Sequence, residues 1–185
     1  TGPTASTLRR DGTLASRIER LILVAGQSAD AIGQTPLDDV NVTADVESLR
    51  IVLDSAVPIT LIAPALGAAI GLDRSDLDRL DTGSGAVRLI TPSAGLWLHA
   101  QTEQHGASTL AVGAMAAVDV AAHPGHLRCE SATARLSGDS PATARLLVSS
   151  TTAPGSRPVT WCHTADAEAK NRIIADALAA SAARH

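Results

Sequence analysis

The stretch Leu21 to Asn41, LILVAGQSADAIGQTPLDDVN, holds the residues best suited to grip a small polar ligand. An apolar run ends in Gly26, and a long polar segment follows with Gln34, Asp39 and Asn41. A loop of that length in a compact domain is usually functional or disordered. In parallel α/β sheets, ligands bind beyond the carboxyl ends of the strands. Amide and carboxylate groups at that position suit vicinal hydroxyls, because an amide both donates and accepts. The competing reading is a solvated surface loop rich in turn-forming Asp and Asn. His105 is a candidate proton donor, set against a plain loop histidine before Gly106.

Other clusters point to structure rather than chemistry. His123 and His126 flank Pro124-Gly125 without a recognised metal-ligand spacing and are expected to be turn residues. Cys162 and His163 are neighbours in an expected strand, so they face opposite ways and cannot form a nucleophile-base pair. Asp38-Asp39 reads as a solvated acid pair, with a catalytic pair as the alternative. Asp73, Asp76 and Asp78, interleaved with Arg74 and Arg79, read as a solvated, salt-bridged helix face. Gly83-Ser84-Gly85 lacks the full pattern of a phosphate loop and is expected to be a flexible link.

The elements that must position these residues follow from periodicity. Leu8, Leu14, Ile18 and Leu21 recur at helical spacing and predict one helix or two short ones, broken near Asp11-Gly12. Leu21 to Ala25 and Ile59 to Ala63 read as buried parallel strands, with a helix over residues 44–55 between them capped by Thr43. That order is the βαβ rhythm of a parallel sheet. Helices are predicted over 75–80, 87–101, 110–120 and 166–183. Leu127 to Leu136 and Ala144 to Ser149 predict an antiparallel pair, and Val159 to His163 one more strand.

Composition narrows the classes of function. The 185 residues suit a single domain, 1–185, and 45% of them are apolar, which excludes a disordered chain. The net charge of -4 argues against nucleic acid and acidic membranes as partners. With two Trp and no Phe or Tyr, base-stacking platforms are excluded as well. Cys129 and Cys162 are expected to be buried, reduced thiols, with a single bond between them as the alternative. No signal segment or membrane span is visible, so a cytoplasmic location is expected.

Several pieces in a common order resemble the nucleoside hydrolases, the inosine-uridine preferring nucleoside N-ribohydrolases. TGPTAS, Thr1 to Ser6, is similar to T-G-P-L-T-N, and RIERLILVAGQ to R-I-x-x-I-V-x-M-G-G. GQTPLDDVN, Gly33 to Asn41, is similar to G-N-x-T-P-x-A-E-F-N with one residue fewer. Val46 to Thr60 resembles P-E-A-A-x-I-V-F-x-S-G-V-P-L-T, and LAVGAMAAVD the apolar helix after the family's H-D-P motif. The match corresponds to the later part of a family member. It implies an α/β fold, a mostly parallel sheet flanked by helices and lacking the N-terminal strands.

The resemblance implies N-glycosidic hydrolysis of ribonucleosides, in purine or pyrimidine salvage, with Ca2+ as cofactor. By that resemblance the Thr1 carbonyl is a calcium ligand, Gln34, Asp39 and Asn41 contact the ribose, and His105 assists the leaving base. Gln34 and Asp39 stand where the family has Asn and Glu, while Asn41 is unchanged. The family's aspartate cluster, D-x-D-x-G-x-D-D, and the aspartate of H-D-P have no counterpart in this sequence. The expected partners are a nucleoside or related small molecule, a missing N-terminal portion or partner chain, and further copies in a homo- or hetero-oligomer. The alternative is a catalytically degenerate ligand-binding or scaffold subunit.

Overall fold

A computed structural model of the chain describes residues 2–31 and 39–183. The chain divides into two compact units, residues 1–64 with 129–163 and residues 65–128 with 164–185.

The first unit holds the sheet. Helix α1 (Gly2–Arg10) buries Ala5 and Leu8 and stops at Asp11. The Asp11 side chain then accepts from the Thr13 amide and starts a 3-10 turn over Gly12–Arg17, so the break expected near Asp11-Gly12 is real. Strand β1 (Leu21–Val24) follows, then the two-residue β2 (Gln27–Ser28). Helices α2 (Val40–Thr43) and α3 (Val46–Asp54) lead to β3 (Ile59–Ile62). Strands β4 (Arg128–Ser137), β5 (Arg145–Ser149) and β6 (Arg157–Thr164) complete a six-stranded sheet of order β1-β3-β6-β4-β5-β2.

β1 runs parallel to β3 with Leu21 opposite Ile59, and β3 parallel to β6 with Leu61 opposite Trp161. β4 and β5 are antiparallel, and β2 is parallel to β5. All four residues of β3 are buried, as an interior strand requires. Those of β1 are only half-buried, against expectation, because β1 ends the sheet order and has a neighbour on one side alone.

Two details differ from the sequence reading. The cap of α3 is Asp45, not Thr43: the Asp45 carboxylate accepts from the Ser48 amide at 2.9 Å, while Thr43 belongs to α2. Cys129 and Cys162 form a disulfide between β4 and β6, so they are not free thiols. Cys162 is fully buried. Disulfides persist in oxidising surroundings and are rare in reducing ones, a feature that a cytoplasmic location did not anticipate.

Arg157, at the start of β6, ends α3. Its guanidinium donates to the carbonyls of Val52 (3.3 Å), Leu53, Ser55 (2.8 Å) and Val57 (2.9 Å). The carbonyls of Val52, Leu53 and Ser55 belong to the end of α3, where a helix lacks onward amide donors, and that of Val57 to the connection after it. Burial pulls the Arg157 value below the usual guanidinium range.

The second unit is helical. It contains α4 (Pro64–Ala69), α5 (Arg74–Asp81), α6 (Gly85–His105), α7 (Gly113–Ala122) and α8 (Ala169–Ala182). Helix α7 starts three residues later than the apolar run suggests, because Leu110 pairs with Leu72 in a β-bridge. Gly67 lies so close to Gly113 that an added Cβ would stand 2.6 Å from the Gly113 nitrogen.

Asp76 is not part of a solvated face. It is 3% exposed, closes a capping box with Asp73 at the start of α5, and accepts from Lys170 Nζ of α8 at 2.7 Å. Arg74 and Asp78, by contrast, form the expected exposed pair. Ser84 is no phosphate loop and no free link: its amide donates to Ser181 Oγ at 2.6 Å, and its hydroxyl to the Ser181 carbonyl. Among the described residues, no helix is long and apolar enough to cross a membrane.

Two outcomes are expected. Titration of unfolded protein with a thiol reagent finds two thiols only after reduction, and reduction lowers the melting temperature; bridging a separation of 33 residues is worth about 3–4 kcal/mol in chain-entropy terms. Arg157→Met lowers stability by about 2–4 kcal/mol in denaturant unfolding, because several carbonyls lose a charged donor at once.

Candidate functional site

The carboxyl end of β1 is where the first unit gathers polar groups. The Ala25 amide still pairs with the Ile62 carbonyl, and the chain then turns at Gly26 with φ of 95°. A side chain at Gly26 would be strained by that angle and would stand 3.1 Å from Val148 Cγ2. The Gly26 amide donates to Asp39 Oδ2 at 2.7 Å. The other oxygen of Asp39, Oδ1, accepts from the Asn41 amide at 3.2 Å and caps α2. Asn41 Nδ2 donates to the Val24 carbonyl at 2.8 Å. Asp39 and Asn41 thus fasten the returning end of the loop to the end of β1.

Asp39 is held above its ordinary carboxylate value. Burial is the larger cause, and it outweighs the amides of Gly26, Val42 and Asn41, which act in the opposite direction.

The structure brings Asp39 and Asn41 together where the sequence placed them, at the end of a parallel strand. Both side chains are spent largely on backbone partners. Gln34, with Gly33 and Asp38, and Thr1 lie outside the described residues. His105 is the last residue of α6 in the second unit and is exposed, followed by Gly106 in the left-handed region.

A calcium ion asks for six to eight oxygen ligands, carboxylates among them. Asp39 offers one carboxylate, and both its oxygens already accept amide protons. Among the described residues, no group of three or more His, Cys, Asp or Glu side chains forms around it. The described donors at this end of the sheet do not fit calcium.

Such a group does form in the second unit, from Asp119, His123, His126 and Asp176. Asp119 and His123 lie one helical turn apart at the end of α7, His126 follows the turn, and Asp176 projects from α8. His126 Nδ1 stands 3.1 Å from Asp119 Oδ1, and His123 Nδ1 stands 3.2 Å from Asp176 Oδ2. The two imidazole rings stack with centroids 4.7 Å apart. A groove of about 370 Å³ opens beside them, walled by Met115, Val118, Ile173 and Ala177. The expectation that these histidines merely complete a turn is therefore incomplete. The helical spacing of Asp119 and His123 was a signal in the sequence; Asp176 carried none.

The remaining candidates stay structural. His163 Nε2 lies 3.1 Å from Glu130 Oε1 on the exposed side of β6, opposite the buried Cys162.

No family model matches the chain, and no curated protein matches its sequence. Solved structures match its fold. A plant nucleoside hydrolase, the PpNRh1 enzyme, is 16% identical with a TM-score of 0.71, over 95% of this chain and 58% of that one. An inosine-uridine preferring nucleoside hydrolase from Bacillus anthracis is 14% identical with a TM-score of 0.63, over 95% of this chain and 56% of that one. The fold is nucleoside-hydrolase-like, and the chain spans less than two thirds of either structure.

Replacing Asp39 tests the loop anchor. Asp39→Ala is expected to cost about 1–2 kcal/mol of stability by removing the acceptor for two amides. Because burial raises Asp39, its protonated form suits the folded state better. The unmodified chain should therefore gain stability relative to Asp39→Asn as pH falls from the raised folded-state value toward the ordinary Asp value. Chemical denaturation of both proteins across that acidic window reads the difference. The opposite slope would mean that the amide hydrogen bonds outweigh burial.

Proposed function

We propose that this chain is a nucleoside-hydrolase-like protein that takes a ribonucleoside or a related small molecule at the carboxyl end of β1. In this reading N-glycosidic hydrolysis requires completion by an N-terminal portion or a partner chain. The observation that carries it is the fold likeness over 95% of the chain. The reading extends to a role in nucleoside salvage and to assembly as an oligomer.

The reaction needs an activated water, stabilisation of an oxocarbenium-like sugar, and a proton for the departing base. Asn41 supplies one of these functions in part: with Nδ2 donated to Val24, its Oδ1 is the group offered to a ribose hydroxyl. Asp39 holds the loop that carries Asn41, and Gln34 is proposed as the second sugar contact. His105 is proposed as the acid for the leaving base. Thr1 enters as a calcium ligand by resemblance alone, and the described donors do not fit that ion.

A second reading, a catalytically degenerate binding subunit, is favoured by one observation. Asp39 stands where the resemblance has a ribose-binding Glu, yet its carboxylate is turned to the Gly26 and Asn41 amides.

One pair of measurements on this chain tests the proposed site: calorimetric binding of inosine and uridine, and release of reducing sugar from each. Binding without turnover is expected. Asn41→Ala should weaken binding by about fivefold to tenfold, the worth of one hydrogen bond. Turnover by the chain alone would remove both the degenerate reading and the requirement for completion. Absence of any nucleoside binding, or binding indifferent to Asn41→Ala, would overturn the proposed site.

A further inference from the structure

Asp119 sits near the end of α7 with a side chain only 3% exposed. Its Oδ1 faces His126, but its Oδ2 is buried and accepts no hydrogen bond. Asp176 Oδ2, from α8, is likewise buried without a hydrogen bond. Leaving carboxylate oxygens in this state is costly, and native structures rarely tolerate it without an ion or another partner. Asp119 Oδ1 and the unsatisfied Asp176 Oδ2 face the same two imidazoles and belong to one site.

The spacing of the four donors is informative. His123 Nδ1 lies 3.6 Å from Asp119 Oδ1 and 3.2 Å from Asp176 Oδ2. His126 Nδ1 lies 3.1 Å and 3.8 Å from the same two atoms. A tetrahedral ion with ligands at about 2.0–2.1 Å holds its donors about 3.3–3.4 Å apart. The four imidazole–carboxylate separations bracket that value, and all four donor atoms lie within 4.8 Å of one another. Two imidazole nitrogens with two carboxylate oxygens form a borderline donor set, suited to zinc and its neighbours rather than to calcium or magnesium. A dication also balances the two carboxylates when both imidazoles are neutral.

We propose that Asp119, His123, His126 and Asp176 bind one divalent transition-metal ion of the zinc class in four-coordinate geometry. Both imidazoles ligate through Nδ1, which leaves the proton on Nε2. Four protein ligands fill the coordination shell, so the role is structural. The ion ties the end of α7 and the turn after it to α8. Arg172, one turn before Asp176, supports the arrangement by donating to the His126 carbonyl at 2.9 Å. The site is independent of the nucleoside reading and stands or falls apart from it.

The test uses tag-free chain, stripped with chelator and returned to metal-free buffer, titrated with Zn2+ by calorimetry. One equivalent is expected to bind and to raise the melting temperature. Co2+ in its place should give the intense visible bands of a tetrahedral ion. His123→Ala and Asp176→Asn, both at partly exposed positions, should each weaken binding at least about tenfold. His163→Ala, far along the sequence on β6, should bind as the parent does. Folded parent protein that takes up no stoichiometric Zn2+ would overturn the proposal, as would a pale octahedral Co2+ spectrum. Unchanged affinity in both His123→Ala and Asp176→Asn would overturn it equally.

Discussion

A charged guanidinium among helix-end carbonyls governs the geometry of the first unit. Arg157 reaches from β6 to the carbonyls of Val52, Leu53, Ser55 and Val57, where α3 gives way to β3. The acceptors at the end of α3 carry the partial negative charge of the helix end, which a cation there offsets. The contact fixes where α3 stops and where β3 begins beside β6. β3 then pairs parallel with β1 on one side and with β6 on the other. The Cys129–Cys162 bond holds β6 to β4 on the other side.

Two polar clusters result, and they differ in how far they are satisfied. At the end of β1, Asp39 and Asn41 are matched to backbone groups, and the loop ends are pinned. That arrangement favours positioning over acid-base chemistry, since a carboxylate saturated by amides is poorly placed to take a proton from a substrate. At the end of α7, Asp119 and Asp176 each keep a buried oxygen without a hydrogen bond, in a cluster with two histidines. A fold that spends its polar groups carefully in one place and leaves them open in another marks the second as a place for something else to bind.

The sequence alone determined most of the elements, though not the short β2, α2 and α4. The apolar runs at Leu21 and Ile59 became β1 and β3, and the alternating segments after Leu127 became the β4–β5 pair. Asp11-Gly12 broke the first helix as expected. These signals are local: strand and helix periods, turn residues and caps act over a few residues, so they survive without knowledge of the rest of the chain. That Asp39 and Asn41 fold back onto the end of β1 is a contact over 13 and 17 residues, which such local signals do not specify.

Tertiary structure decided which side chains meet. Asp76 looked like one acid in a solvated face, but Lys170 of α8 pairs with it and it is buried. Cys129 and Cys162 bond because sheet order sets β4 beside β6. The half-burial of β1 follows from its edge position, which an apolar run does not encode. Asp119 and His123 share a helix face, but Asp176 reaches them only because α8 packs on α7. Pairings between residues distant in the chain depend on how many elements pack at once, and no local pattern carries that information.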